Sequence, residues 1–169
     1  MSLVEAAIEA AGLGAIARAR RTGKIAPGIA SALEGADLLA LGALADEIRA
    51  REVGDCVRVL ASLPVPGDPA RVVRFKGAPS ATSGLLFLRH VAIARITGDV
   101  AVPIRIDWME CGEGLGQVAL GFGASEILVA PLHDRALPMA GEAGKKDELV
   151  RLLCRTGRSA LFIENEGAS

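Results

Sequence analysis

From about residue 83 to residue 163 the chain alternates helix-forming and strand-forming stretches with short connections between them, and this order restricts the fold more than any other feature. The pattern predicts a helix over 83–97, a strand over 102–108, a helix over 112–121, a strand over 126–131, a helix over 145–156 and a strand over 159–163. Alternation with short links implies an α/β domain with parallel strands and right-handed crossovers. Residues 102–108 read Val-Pro-Ile-Arg-Ile-Asp-Trp and residues 126–131 read Glu-Ile-Leu-Val-Ala-Pro. These runs are apolar enough to expect burial on both faces, as parallel strands require. Ligand sites in such sheets lie beyond the carboxyl ends of the strands. That rule puts Asp107, Trp108, Glu110 and Cys111 at one strand end and His133, Asp134 and Arg135 past the next, so this rim is the expected site.

The first third reads as helices. Leu3, Val4, Ala7, Ile8 and Ala11 follow a helical period, and a second run from about Leu13 ends in Arg18, Arg20 and Arg21 before Gly23. Asp37 is placed to cap a longer helix whose Leu38, Leu41, Leu44, Ala45 and Ile48 form one apolar face, with Gly54 as its stop. After Gly54, Val57, Val59 and Ala61 alternate with Arg58 and Leu60, and Val72, Val73 and Phe75 form a second strand-like run. Pro64, Pro66, Gly67 and Pro69 separate them. So short a link suits an antiparallel hairpin, since a parallel crossover usually needs about a dozen residues. The expected organisation is a helical segment, 1–54, packed on an α/β domain, 55–169.

Composition narrows the partners. Hydrophobic residues make up 51% but aromatics only 3%, which disfavours a base-stacking platform for nucleic acid. A formal net charge of -1 supplies no basic field for a polyanion. The cysteines Cys56, Cys111 and Cys154 are odd in number and far apart, which fits free thiols in a reducing compartment. Glu5 and Glu9 interrupt the amino-terminal apolar stretch, so neither a signal peptide nor a membrane span is expected there. The expectation is a cytoplasmic protein with no nucleic-acid or membrane partner.

Gly114-Leu115-Gly116-Gln117-Val118-Ala119 has the Gly-x-Gly-x-x-Ala form of a dinucleotide-binding turn, and Asp134 follows twenty residues after its first glycine. Met109 to Glu113 separate the motif from the strand, however, and Glu113 would repel a pyrophosphate. Glycines that let a helix pack closely are the preferred explanation. With only His90 and His133 in the chain, a metal centre is not expected. Cys111 stands where a helix dipole would activate it, but Glu110 and Glu113 oppose that effect. Trp108, the lone tryptophan, reads as a packing residue with some claim to a ligand stack.

Several stretches resemble a known family. Gly23-Lys24-Ile25-Ala26-Pro27 and the run from Ala36 to Arg49 are similar to the amino-terminal helices of the radical S-adenosylmethionine enzymes of the futalosine route to menaquinone, and of the related deazaflavin-forming synthases. Leu88 to Arg95, Ile106-Asp107-Trp108, Gly112 to Phe122 and Gly123-Ala124-Ser125-Glu126 resemble their carboxyl-terminal third, and Leu149 to Arg158 their closing helix. The resemblance implies a partial (β/α) barrel of four or five strands. The segment between the matching parts is Pro-rich and lacks the family's Cys-x-x-x-Cys-x-x-Cys loop. No residue corresponds to the cluster cysteines, so neither an iron–sulfur cluster nor radical initiation carries over. What carries over is the substrate-end rim, where Trp108 and Gly112 match, while Ser125-Glu126 replaces the family's usual acidic or Asn-Asp pair.

These readings give two expectations. The first is a non-catalytic relative that binds a small metabolite or a full-length radical enzyme of the route. The second is a small enzyme acting through the rim residues Trp108, Glu110, Cys111, Glu113, His133 and Asp134. No catalytic residue is assigned, and the ligand-binding candidates are Asp107, Trp108, Glu110, Cys111, Gly112, Glu113, Gln117, Ser125, Glu126, His133 and Asp134. No cofactor is expected, a nucleotide being the one candidate. A partial barrel leaves an open inner face, which a homodimer or the amino-terminal helices would cover.

Overall fold

The computed structural model describes residues 2–23, 28–60, 67–76, 80–129 and 142–163. Four helices come first: α1 (Leu3–Ala10), α2 (Gly14–Arg21), α3 (Ile29–Glu34) and α4 (Leu38–Val53). Ser2 caps α1 through a reciprocal pair with Glu5, and the Asp37 carboxylate accepts the Ala40 N–H at 2.9 Å to start α4. Gly54, at φ 70°, ends α4 as expected. The remaining elements are β1 (Cys56–Leu60), β2 (Arg71–Val73), α5 (Ala81–Thr97), β3 (Ile104–Asp107), α6 (Trp108–Cys111), α7 (Glu113–Leu120), β4 (Glu126–Leu128), α8 (Glu142–Arg155) and β5 (Ser159–Ile163). Residues 130–131, expected to continue β4, lie outside the described residues.

The five strands form one sheet in the order β2-β3-β4-β1-β5, and every pairing is parallel. The antiparallel hairpin expected between β1 and β2 is therefore absent, and the two strands are not neighbours. Both sides of β1 are occupied, by β4 and by β5, while β2 pairs with β3 at the sheet's far edge. The link from Leu60 to Arg71 explains how this is possible. About ten extended residues reach roughly 35 Å, more than three strand spacings of about 4.8 Å. The length of a link limits how far the chain can reach and does not dictate which strands pair. The expected strand 72–75 is also shorter, leaving Phe75 beyond its carboxyl end.

Strand register sorts the side chains into rows. Val73, Ile106, Ile127, Val59 and Phe162 lie side by side across the sheet, and this row joins a single hydrophobic core with Leu41, Leu44 and Ile48 of α4, Val91 of α5, Leu120 of α7 and Leu153 of α8. Ile8 and Leu13 from the amino-terminal helices belong to the same core. Helices thus cover one face, as right-handed crossovers advancing in one direction require. Gly42 permits part of this packing, because a Cβ there would sit 2.7 Å from the Phe122 ring.

The neighbouring row, on the opposite face, is Val72, Arg105, Glu126, Arg58 and Leu161. Glu126 is fully buried between two arginines: Arg105 bonds one carboxylate oxygen, and Arg58 Nε stands 3.3 Å from the other. Arg105 also donates to Asp68 at 2.7 Å, so the link between β1 and β2 reaches over this face. The expectation of an apolar inner face is met only in part. Leu60 and Leu128, with Ile163 against them, form a small apolar cluster on it, but beside them runs the ion-paired row, in which Arg105 and Glu126 are buried and Arg58 is half-exposed; its exposed apolar residues, Val72 and Leu161, sit on the two edge strands. Buried charges persist only when paired in this way.

Candidate functional site

A cleft of about 520 Å³ opens between the amino-terminal part of α5 and the α6–α7 elbow, beside the carboxyl end of β2. Its apolar walls come from Phe75, Leu85, Leu88 and Leu115, and Glu110 and Cys111 supply its polar side. Phe75 reaches this position because β2 ends at Val73, and an edge-on contact with Phe87 of α5, 5.7 Å between ring centres, fixes its ring.

Asp107 is the hinge of the rim. It is the last residue of β3 and the N-cap of α6, where its Oδ1 accepts the N–H groups of Met109 and Glu110 at 2.9 and 3.1 Å. Its other oxygen, Oδ2, is buried without a hydrogen-bond partner. Glu110 repeats the arrangement one turn on: Oε1 accepts from Arg74 at 2.5 Å, and Oε2 is buried without a partner. Cys111 closes α6 and directly precedes Gly112, the N-cap of α7, so it stands just outside the first turn of that helix. Burial pushes its thiol up to about 11, and the charges of Asp107 and Glu110 add to that effect. At neutral pH this thiol is not a nucleophile.

The glycine-rich run is placed for packing. The whole of α6 intervenes between β3 and Gly112, and the Trp108 ring lies against Gly116, where a Cβ would stand 2.7 Å from the indole. Gly112, at φ 77°, makes the elbow between α6 and α7. Glu113 is exposed, and Gln117 donates to it at 3.5 Å along the outer surface of α7.

The structure brings together Asp107, Trp108, Glu110, Cys111 and Gly112, and it separates Ser125 and Glu126 from them. Ser125 precedes β4 and Glu126 begins it, at the opposite end of the sheet. The Ser125 hydroxyl accepts from Arg95 Nη2 at 2.9 Å and from the Ile104 N–H at 3.2 Å. Arg95 also donates to the Gly123 and Val102 carbonyls, and burial lowers its pKa to about 10. His90 is exposed on α5, and His133 and Asp134 lie outside the described residues. Among the described residues no three His, Cys, Asp or Glu side chains are grouped to hold a metal ion. Nor is any helix among them long and apolar enough to cross a membrane.

Sequence reasoning missed Phe75, Leu85, Leu88 and Leu115, because cleft-lining apolar residues carry the same pattern as core residues. It also missed the pairing of Arg58, Arg105 and Asp68. The signal was available there: an arginine flanked by Ile104 and Ile106, or by Val57 and Val59, alternates with apolar neighbours and must face something other than the core.

No family model matches the chain, and no solved structure matches it. The cyclic dehypoxanthine futalosine synthase of Streptomyces coelicolor is 30% identical to it over 74 residues, which are 43% of this chain and 18% of that protein. The chain is thus distantly and partially related to that synthase and spans less than a fifth of its length.

Proposed function

We propose that the chain is a non-catalytic relative of the futalosine-route enzymes that holds a small metabolite of that route in the cleft between α5 and the α6–α7 elbow. The cleft itself carries this reading. It lies beyond the carboxyl ends of the strands, where parallel α/β sheets bind ligands, and it joins apolar walls to a few convergent polar groups. The chemistry of those groups favours binding over turnover. The Cys111 thiol is held protonated, and one oxygen of each rim carboxylate is committed to a structural bond, Asp107 to the α6 N-cap and Glu110 to Arg74. The partial relationship to the Streptomyces synthase supplies the class of metabolite. A full-length radical enzyme of the route is the corresponding protein partner, to which a bound metabolite would be presented. Calorimetric titration with cyclic dehypoxanthine futalosine tests the reading. Saturable one-to-one binding is expected, lost when Leu115→Trp fills the cleft; a titration without heat for the wild-type protein contradicts it.

A further inference from the structure

A glycine inside a helix costs stability relative to alanine, and a common reason for keeping one is a neighbour too close for a side chain. Three helical glycines have such a neighbour: Gly14 lies against the Glu9 carboxylate, Gly42 against the Phe122 ring and Gly116 against the Trp108 indole. Gly84 of α5 has none. A Cβ there would meet the two Leu115 methyls at 3.8 and 3.9 Å, which is ordinary contact, and nothing else within 4 Å outside its own helical turn. Its backbone is helical and outside the left-handed region, and its N–H donates to the Ser80 carbonyl at 3.0 Å. Neither packing nor conformation therefore requires glycine at this position. The cleft is what remains: Gly84 is half-buried and lines it, with Leu115 on the facing wall. Gly114 of α7 also lacks a close neighbour, but it is exposed and does not line the cleft.

We propose that Gly84 is a specificity-determining position, where a slim apolar part of the ligand rests on the bare α5 backbone in the space a side chain would take, with the Leu115 methyls beside it. The proposal rests on the cleft being the binding site and adds the residue that sets how deeply its occupant enters. Apolar carbons touch at about 3.5–4.0 Å. Against the glycine hydrogen the occupant reaches the helix backbone itself; against a methyl it is held off by the length of a carbon–carbon bond. The Gly84 N–H is already spent within the helix, and Leu85, Leu88 and Leu115 are the nearby walls, so the part of the ligand that lies here is apolar. An unbranched chain or the edge of a ring fits this space, whereas a branched group carries a methyl of its own into it and is excluded.

Gly84→Ala, with Gly114→Ala as its control, separates this role from a structural one, because stability and affinity should move in different directions. In urea the midpoint of Gly84→Ala should equal or exceed that of the wild type, since the helix gains and the methyl meets no clash. Calorimetric titration with cyclic dehypoxanthine futalosine should show binding weakened by about tenfold or more, the usual effect of one methyl group in an apolar pocket. Gly114→Ala should leave the affinity as it is. A lower midpoint for Gly84→Ala would show that packing explains the glycine and would overturn the proposal. Unchanged affinity in Gly84→Ala would leave the cleft as a binding site and overturn the role of Gly84, as would an equal loss in Gly114→Ala. A wild-type titration without heat would overturn the binding reading, and the role of Gly84 with it.

Discussion

At Cys111 the fold sets the proton affinity of a single atom. Its thiol titrates at about 11, pushed up by burial and by the two neighbouring carboxylates, against about 8.5 for a free cysteine. Because the folded value is the higher one, the contribution to stability is complete below the unfolded pKa and is lost as pH rises from about 8.5 to about 11. At pH 8 alkylation of Cys111 by iodoacetamide should run on the order of 100-fold more slowly than that of free cysteine, and should recover only near pH 11. An ordinary rate at pH 8 would contradict the buried, doubly flanked placement. Part of this was legible in the sequence, since Glu110 stands next to Cys111 and opposes activation whatever the fold. What was not legible is that Cys111 ends α6. The sequence 108–121 carries no Pro or Ser to mark a break, and only the left-handed backbone of Gly112 divides it into two helices. Ser125 and Glu126 show the same limit from the other side. The expected strand 126–131 already put them at its amino end, away from the rim; what local sequence does not show is that their polar groups are taken up by Arg95 and Arg105, from elements twenty or more residues away.

The element that decides the geometry of the rim is α7, through its contact with Trp108. Gly116 admits the indole ring, whereas Gly114, two residues earlier, has nothing within 4 Å of where a Cβ would be. Gly116→Ala should therefore cost about 1–3 kcal/mol in urea denaturation and shift the emission of the sole tryptophan. Gly114→Ala should be neutral, or stabilising by up to about 1 kcal/mol through helix propensity. Equal losses for both would restore the phosphate-cradle reading of the motif. Apart from α6, which the expected strand 102–108 overlapped at Trp108, the helices and the three later strands were legible because their periods are long and their caps, such as Asp37 and Gly54, are explicit. The pairing of β1 was not, because the strand's partners, Glu126 to Leu128 and Ser159 to Ile163, lie far along the chain. Local sequence records the strand's period and not which strand it pairs with. Only the charges hint at the neighbours: Arg58, Glu126 and Arg105 alternate in sign across three strands in one register row.

For the whole molecule, the order β2-β3-β4-β1-β5 is a five-stranded, all-parallel sheet with helices on one face, and its second face carries an ion-paired row of its own. The case for a homodimer thereby moves from the sheet face to its edges, where Val72 on β2 is 46% exposed and Leu161 on β5 is 49% exposed. Among the described residues both edges are unpaired, and unpaired parallel edges with apolar side chains invite a second copy. Edge pairing predicts a molar mass that rises with concentration in light scattering and returns to one chain for Leu161→Lys; a single-chain mass throughout would contradict it. Whether self-paired or bound to a larger enzyme, the molecule is proposed to work through the cleft lined by Glu110 and Cys111. Native mass spectrometry of the protein isolated from its own host, compared with Leu115→Trp isolated in the same way, probes that cleft without any choice of ligand. A small molecule of defined mass should be retained one-to-one by the wild type and be missing from the variant. A bare wild-type chain in every preparation, or a small molecule retained equally by both, would show that the cleft is not a binding site.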